Sequence, residues 1–197
     1  GFGGSCFKKD ILNLVYLSKY YGLDEVAEYW EQIIKINNWQ KKRISRLIVE
    51  KLFGTVAFKK IVILGFAFKG NTNDTRESPA IEIVKDLLEN GAEVIISDPK
   101  VKISQIERDL GKEENCKEIN YESGYWHFSQ DIYDAVEDAD AIVLLTEWEE
   151  YKNLDWQKIE NKMRSPSWVF DARAIAQIDE IKKTSLNLWS IGNGSLN

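Results

Sequence analysis

The sequence predicts an α/β protein in which a helical segment is followed by a doubly wound parallel sheet. Strand-length apolar runs at residues 59–65, 93–97 and 141–145 are separated by stretches with helical spacing, and that alternation is typical of parallel strands joined by helices. The residues before the first run show helical spacing only. We therefore expect a central helical segment at 1–56 and a sheet domain at 57–197.

Two helices are predicted in the first segment. After a glycine-rich turn at residues 1–5, helical periodicity starts near Cys6, and Gly22 offers a stop. A second helical stretch, from about residue 23 to 53, would be roughly 45 Å long. Its apolar side needs a partner along its length, so the helix is either a spine between two domains or a dimer interface. Both interpretations stay open, and they are compatible.

The sheet domain is predicted from apolar runs and from turn residues. Ser78 and Pro79 mark a helix start, with serine as the cap and proline in the first turn, and Asn90 with Gly91 marks its end. The charged stretch at 111–125 is expected to be a surface insertion. Strands are predicted at 59–65, 93–97, 141–145, 168–171 and 186–191, and helices at 80–88, 132–136 and 156–163.

Composition narrows the class of protein. The formal net charge of −6 argues against a nucleic-acid binder. No apolar run approaches the ~20 residues that span a bilayer, and no signal peptide is visible, so a cytoplasmic protein is the default. Cys6 and Cys116 form neither a disulfide framework nor a C-x-x-C metal knuckle, so we expect no metal. The chain starts without methionine inside a glycine-rich turn, which we interpret as the mark of a fragment.

The loop after the first strand resembles a phosphate loop without matching one. Residues 65–70 read GFAFKG, which lacks the G-x-G-x-x-G spacing, and Asn71 stands where a P-loop needs lysine. Backbone amides, Lys69 and Arg76 would still lie at the carboxyl end of a strand, where α/β sheets bind ligands. The alternative is that both side chains only face solvent, with Arg76 paired to Asp74 or Glu77. The residues alone favour this alternative.

Cys6 is the strongest candidate for a nucleophile. It lies at a helix start, where the helix dipole together with Lys8 and Lys9 favours the thiolate. Asp10, four residues on, shares its helix face and could position a water or a proton. Such a thiolate could attack a carbonyl and pass through a thiohemiacetal to a thioester. The alternative is a buried, inert cysteine. His127, the only histidine, is far away in sequence, which disfavours a Cys–His dyad.

Four stretches of the sequence act as motifs: GFGGSCFKKD at 1–10, ILGFAFKGNTNDTRES at 63–78, LTEW at 145–148 and FDAR at 170–173. Together they resemble the UDP-glucose/GDP-mannose dehydrogenase family, in the family's order and over nearly the whole chain. The first two stretches are highly specific. The region around Phe7 and residues 12–14 is more similar to UDP-glucose enzymes of the animal type than to GDP-mannose enzymes.

The resemblance implies a Rossmann-like domain at 57–197 that binds the UDP-sugar, a dimer-forming central region at 1–56, and an N-terminal NAD-binding domain that this chain lacks. The implied activity is the oxidation of UDP-glucose to UDP-glucuronate by NAD in two steps, with the chain forming at least a dimer. GDP-mannose or another nucleotide sugar is the alternative substrate, and a non-catalytic dimerisation module is the alternative function. We expect residues 1–197 alone to be inactive.

The resemblance also assigns residues. Cys6 would capture the aldehyde and Asp10 would assist the water chemistry, while Lys9 and Arg76 would reach the NAD cofactor. Lys8 stands where related enzymes often carry Pro or Gln. Lys69 and Arg173 would face a diphosphate from the carboxyl ends of strands, which suits the fork geometry of arginine. The substrate-binding positions are Phe2, Gly3, Phe68, Lys69 and Arg173.

Overall fold

The structure is a computed structural model, and it describes residues 1–115 and 123–196. Cys116 and much of the region predicted as a surface insertion lie outside the described residues. The helices are α1 (Ser5–Tyr20), α2 (Asp24–Lys51), α3 (Pro79–Glu89), α4 (Ile103–Leu110), α5 (Ile132–Ala135), α6 (Trp156–Glu160) and α7 (Ile178–Ile181). The strands are β1 (Lys60–Leu64), β2 (Glu93–Ser97), β3 (Tyr125–Phe128), β4 (Ala141–Leu144), β5 (Trp168–Asp171), β6 (Asn187–Ser190) and β7 (Gly194–Leu196).

The described strands form one sheet in the order β3-β2-β1-β4-β5-β6-β7. The first six are parallel, and β7 runs antiparallel to β6. From β1 the chain moves outward through β2 to β3, then returns to place β4 on the other side of β1. This reversal makes a topological switch point between β1 and β4, where open α/β sheets bind ligands. The predicted fold class is confirmed.

The sheet is the centre of the hydrophobic core. Residues 61–64 of β1 and all of β4 are buried, in continuous apolar runs. Strands of this composition are typical of a parallel sheet covered on both faces. α3 contributes Ile83, Val84 and Leu87 to the same core. Its start follows the sequence prediction, because the hydroxyl of Ser78 accepts a hydrogen bond from Ala80 N–H.

The two N-terminal helices have different relations to this core. α2 has 28 residues and is therefore about 42 Å long. Only its C-terminal part reaches the core, through Ile44 and Ile48, and there Ser45 donates a hydrogen bond of 2.6 Å to Asp86 of α3. α1 packs against α2 with Ile11 and Val15 buried. Among the described residues, no helix combines the length and the apolar character that crossing a bilayer requires.

Most predicted elements are present, and four observed elements were missed. The fifth predicted strand, at 186–191, is numbered β6 in the structure, because the unpredicted strand β3 comes before it in the chain. None of β3, α7 and β7, which have four residues or fewer, contains three consecutive apolar residues, whereas the predicted four-residue strand β4 is apolar throughout. α4 lies between the predicted strand at 93–97 and the charged stretch at 111–125, where no element was predicted. Its burial is limited to Ile106 and Leu110, which is a weak apolar signal in a sequence.

Candidate active site

Three loops meet at the switch point of the sheet. They follow β1, β4 and β5, and the contacts between them are close. Thr146 donates a hydrogen bond of 2.6 Å to the carbonyl of Ala67. Gly65 has a φ of +96° and lies against the backbone and side chain of Thr146. Only glycine adopts this backbone conformation freely and leaves room for the neighbouring loop.

The amides of the loop after β1 are already paired within the protein. Phe66 N–H and Ala67 N–H donate to the carboxylate of Asp98 at 2.8 and 3.0 Å. Phe68 N–H donates to the carbonyl of Asp74, and Gly70 N–H donates to Glu147. These four amides are therefore not free to bind a phosphate, and the less favoured sequence interpretation, in which backbone amides help to hold the ligand, is wrong for them. A ligand here meets side chains instead. Asp98 was missed, and its signal was an Asp-Pro pair at a strand end.

Arg173 joins the three loops through its guanidinium. Its Nε donates to the carbonyl of Leu145 at 2.7 Å, and a terminal nitrogen donates to the carbonyl of Phe68 at 2.9 Å. The carboxylate of Glu147 lies 3.4 Å from Nε. The side chain keeps 27% of its surface exposed. Arg173 is thus held in a fixed place at the carboxyl end of β5, with part of its charge open to a ligand.

Lys69 and Arg76 both lie exposed on the loop after β1. The Nζ of Lys69 lies 5.4 Å from the ring centroid of Phe68. Arg76 makes the pairing that the sequence suggested, since its guanidinium donates to both oxygens of Asp74. This hydrogen bonding lowers the pKa of Asp74. It also raises the pKa of Arg76, with a smaller electrostatic contribution from Cys6. The interpretation that Arg76 pairs with Asp74 is confirmed.

The glycine-rich turn lies directly against this loop. Gly4 N–H donates to the carbonyl of Arg76 at 2.9 Å. A methyl group on Gly3 would lie 2.6 Å from the carbonyl oxygen of Glu77 and 3.0 Å from Cβ of Phe68. Gly3 is therefore required for close approach of two backbones. The predicted substrate positions Gly3, Phe68 and Arg173 are brought together here.

Cys6 and Asp10 lie on the exposed side of α1. They are four residues apart in a continuous helix, so they share a face, as predicted. Cys6 is an exposed free thiol, and its Sγ lies 4.0 Å from Oγ of Ser5. The alternative of a buried cysteine does not describe this structure. Gly4, with a φ of +81°, turns the chain into the helix just before the thiol.

The two residues assigned to the cofactor border one cavity. An open cavity of about 540 Å³ beside α1 is lined by Ser5, Lys8, Lys9, Leu12, Arg76 and Glu77. Three of these six side chains are cationic, which suits an anionic group such as a pyrophosphate. No cluster of three or more His, Cys, Asp or Glu side chains that could hold a metal ion occurs among residues 1–115 and 123–196.

Further contacts, which were not predicted from the sequence, join α1 and α2 to the loop after β1 and to the glycine-rich turn. The carboxylate of Glu77 lies 2.8 Å from Nζ of Lys8 and 3.6 Å from Nζ of the buried Lys41. The hydrogen bond from Lys8 is the main cause that lowers the pKa of Glu77. Asn37, also buried, bonds the backbone of Phe2. Lys8 thus has a carboxylate partner on the loop after β1.

The fold and the site together define a Rossmann-like α/β protein with cationic side chains at its switch point and an exposed thiol beside them. Residues 62–178 match the UDP-binding domain of the UDP-glucose/GDP-mannose dehydrogenase family, and residues 1–39 match the family's central domain. The chain belongs to the UDP-glucose/GDP-mannose dehydrogenase family.

Among its relatives, UDP-glucose 6-dehydrogenase 4 of Arabidopsis thaliana is 46% identical over 204 residues. UDP-glucose 6-dehydrogenase 1 of Glycine max has the same identity over the same length. Each alignment covers 98% of this chain and 42% of the relative. The chain therefore spans about two fifths of the length of these relatives.

Solved structures agree with the fold. A UDP-glucose dehydrogenase from Pyrobaculum islandicum superposes with a TM-score of 0.70 at 26% identity, covering 94% of this chain and 37% of that one. A UDP-D-ManNAc dehydrogenase from Pyrococcus horikoshii gives a TM-score of 0.60 at 27% identity, covering 90% and 36%. In both, the matching part is somewhat over a third of the longer chain.

Proposed function

We propose that this chain supplies the C-terminal portion of an NAD-dependent UDP-glucose 6-dehydrogenase, with Cys6 as its nucleophile. The observation that carries the proposal is the position of the thiol. Cys6 is exposed at the start of α1, two residues after a backbone hydrogen bond that joins its turn to the loop after β1. The same loop is joined by Arg173 to the loops after β4 and β5. A sugar diphosphate held at the strand ends would thus lie close to a thiol.

The proposed reaction is a double oxidation at C6 of the sugar. The alcohol first loses a hydride and a proton to become an aldehyde. The Cys6 thiolate adds to the aldehyde carbon and the oxygen takes up a proton, which gives a thiohemiacetal. The thiohemiacetal then loses a second hydride and its hydroxyl proton to become a thioester. Water then attacks the thioester carbon, the carbon–sulfur bond breaks, and the acid and the thiol are released. Asp10, one turn from Cys6, is proposed to position that water or take its proton.

The substrate is proposed to bind through the strand-end loops. Arg173 and Lys69 would contact the diphosphate, since both present cationic groups at the carboxyl edge of the sheet. Phe68, Gly3 and Phe2 would line the path between the diphosphate and the thiol, because the glycine turn packs directly on Phe68. This arrangement uses side chains for the phosphates, in agreement with the internal pairing of the loop amides.

The residues present also fit part of an NAD site. NAD supplies the hydride acceptor for both oxidation steps when it is bound. Lys9 and Arg76 border the cavity next to Cys6, and both are exposed. We propose that they pair with its pyrophosphate. The carboxylate of Asp74 holds Arg76 at the mouth of this cavity. The rest of the cofactor site is proposed to come from an N-terminal domain.

The test uses a completed enzyme, in which this chain is joined to the N-terminal region of the Arabidopsis thaliana relative. We expect NADH formation when UDP-glucose and NAD are added, and much less with GDP-mannose. Cys6→Ser should stop production of the acid, with Ser104→Ala, at an exposed position of α4, as the control. No NADH from the completed enzyme, with the chain correctly folded, would refute the proposed function. Undiminished acid production by Cys6→Ser would remove only the nucleophile.

We further propose that the chain forms at least a dimer through the long helix α2, with α1 beside it. These helices expose large apolar side chains, among them Tyr16, Tyr20, Tyr29 and Trp39. A dimerisation module without catalysis would use the same face. Sedimentation of the completed enzyme, alone and with Trp39→Lys, tests the interface. An unchanged mass for the variant would place the interface elsewhere, and a dimer without NADH formation would favour the non-catalytic module.

A further inference from the structure

The side-chain amide of Asn37 makes both hydrogen bonds that the backbone of Phe2 offers. Phe2 N–H donates to Oδ1 of Asn37 at 2.7 Å, and Nδ2 donates to the carbonyl of Phe2 at 3.1 Å. Asn37 is 6% exposed, so water cannot readily replace these bonds. An asparagine side chain carries one acceptor and one donor group on one plane, which matches the N–H and C=O of one extended residue. The pairing fixes Phe2 on α2.

The residues after Phe2 are held by the loop after β1. Gly4 N–H bonds the carbonyl of Arg76, and Gly3 packs on the carbonyl of Glu77. Lys41 lies one turn after Asn37 on the same face of α2. Its Nζ lies 3.4 Å from the carbonyl oxygen of Glu77. One face of α2 therefore holds the turn that precedes Cys6 and also the loop that carries the substrate and cofactor residues.

The hydrogen bonds of Asn37 position the turn, whereas other residues hold the two helices in place. α2 is anchored by Ile44 and Ile48, and by Leu52 just after its last turn, all of which lie in the buried core. α1 is anchored by Ile11 and Val15. Within residues 1–115 and 123–196, both hydrogen bonds of the Asn37 amide are made to Phe2. Its loss would leave both helices in place and release the turn from α2.

We propose that Asn37 is a positioning residue for the thiol of Cys6. By holding Phe2, it sets the place of the glycine turn and hence the start of α1 relative to a sugar bound at the strand ends. This inference rests on the proposed function. Small displacements of a reacting group cost much of the rate, on the order of a hundredfold for ~1 Å. Affinity for the nucleotide should not depend on Asn37, because the strand-end residues that would hold the diphosphate are tied to other loops.

The decisive variant is Asn37→Leu in the completed enzyme. Leucine has nearly the same volume and can make neither hydrogen bond. We expect kcat for UDP-glucose oxidation, per folded enzyme, to fall roughly thirtyfold. The Kd for UDP, which lacks the sugar that Phe2 is proposed to contact, should change by less than about threefold. Asn38→Leu is the matched control, since Asn38 is the exposed neighbour on the same helix, and it should retain the unmodified kcat.

A second variant, Asn37→Ala, also removes both hydrogen bonds but adds no apolar bulk beside Phe2. We expect a loss of kcat similar to that of the leucine variant. It also decides the question if the leucine variant does not fold. A kcat within twofold of the unmodified enzyme in the folded variants would overturn the inference, as would a loss of UDP affinity as large as the loss of kcat. If the unmodified completed enzyme makes no NADH, the proposed function fails and this inference fails with it. An active enzyme that is indifferent to Asn37 removes the positioning role alone.

Discussion

The sheet domain and the N-terminal helices bury their apolar side chains to different extents. Every residue of β4 is buried, and Phe170 of β5 has no exposed surface. In the helices, by contrast, Tyr20 is 71% exposed and Trp39 is 54% exposed. The apolar side chains of the sheet are buried, whereas α1 and α2 bury one side and leave apolar side chains exposed on the other. The fold is therefore stabilised mainly by the sheet, and the helices offer surface for other segments or subunits.

The candidate site lies where these two regions meet. The strand-end loops supply Phe68 and Arg173 from the well-packed region. The helical region supplies Cys6 and the contacts of α2 that hold its turn. A rigid sheet edge suits binding, because its groups are already placed before a ligand arrives. A thiol carried by a less buried segment depends on a few polar contacts for its position, and those contacts can be changed without unfolding the sheet.

The largest expected effect tests the difference in burial directly. Phe170→Ala should lower the free energy of unfolding by about 3–5 kcal/mol, because it leaves a cavity in a closed core. Tyr20→Ala, a matched removal of an aromatic ring from the helical region, should cost about 0.5 kcal/mol or less. Urea unfolding of residues 1–197 measures both. Equal losses would show that the helical face is covered in solution and would break the comparison.

Two glycines with positive φ, one in each region, allow the same comparison to be made for the backbone. Gly65→Ala should destabilise by roughly 3 kcal/mol, because the methyl group adds a clash with Thr146 to a strained backbone. Gly22, between α1 and α2, has a φ of +70° and no heavy atom within 4 Å of an added Cβ. Gly22→Ala should therefore cost only about 1 kcal/mol, from conformation alone. Thermal unfolding of the two variants measures the difference, and a reversed order would contradict the packing described for the strand-end loops.

Ligand affinity should depend on the sheet edge and hardly on the helices. Arg173→Ala is expected to weaken UDP binding by about 2 kcal/mol, or roughly thirtyfold, as for the loss of a charged hydrogen bond. Arg43→Ala removes an exposed arginine that lies over Trp39 on α2 and should leave the affinity unchanged. Calorimetric titration of residues 1–197 with UDP tests both. If the Arg173 variant binds as tightly as the unmodified chain, Arg173 is not part of the site.

Sequence patterns could predict the elements whose apolar residues recur over several turns or strand positions. β1, β4 and the two long helices are such elements, and their positions were predicted to within a few residues. β3 could not be found in this way, since Tyr125–Phe128 has only four residues beside a charged stretch. Short elements become ordered through their neighbours in the sheet, and a local pattern does not contain that information.

The candidate site was predictable as a set of motifs but not as a set of contacts. Cys6 and Arg173 lie in stretches that resemble a family. The structure places the turn before Cys6 next to the strand-end loops that Arg173 joins. Asn37 bonds a residue 35 positions away, and Asp98 bonds amides more than 30 positions away. Neither residue lies in a recognisable motif. Such partners are chosen by the tertiary fold, because a buried polar group must pair with whatever polar group the fold brings near it.

The smallest expected effect concerns Glu77, the carboxylate that joins the two regions. Lys8 lowers the pKa of Glu77 from its ordinary value of 4.5. A carboxylate whose pKa is lower in the folded state adds stability above its unfolded pKa, and this stability is lost as the pH falls through the folded pKa.

Glu77→Gln should therefore lower stability at neutral pH by about 1 kcal/mol or less, because the side chain is partly exposed to solvent. The difference between the variant and the unmodified chain should shrink below about pH 4.5 and vanish in more acidic solution. Glu149→Gln is the control within the sheet domain, since its pair with Lys152 is exposed and local, and it should have no measurable effect. Thermal unfolding from pH 3 to 7 compares the two. A difference for Glu77→Gln that grew on acidification would mean that the carboxylate opposes the joint between helices and sheet instead of holding it together.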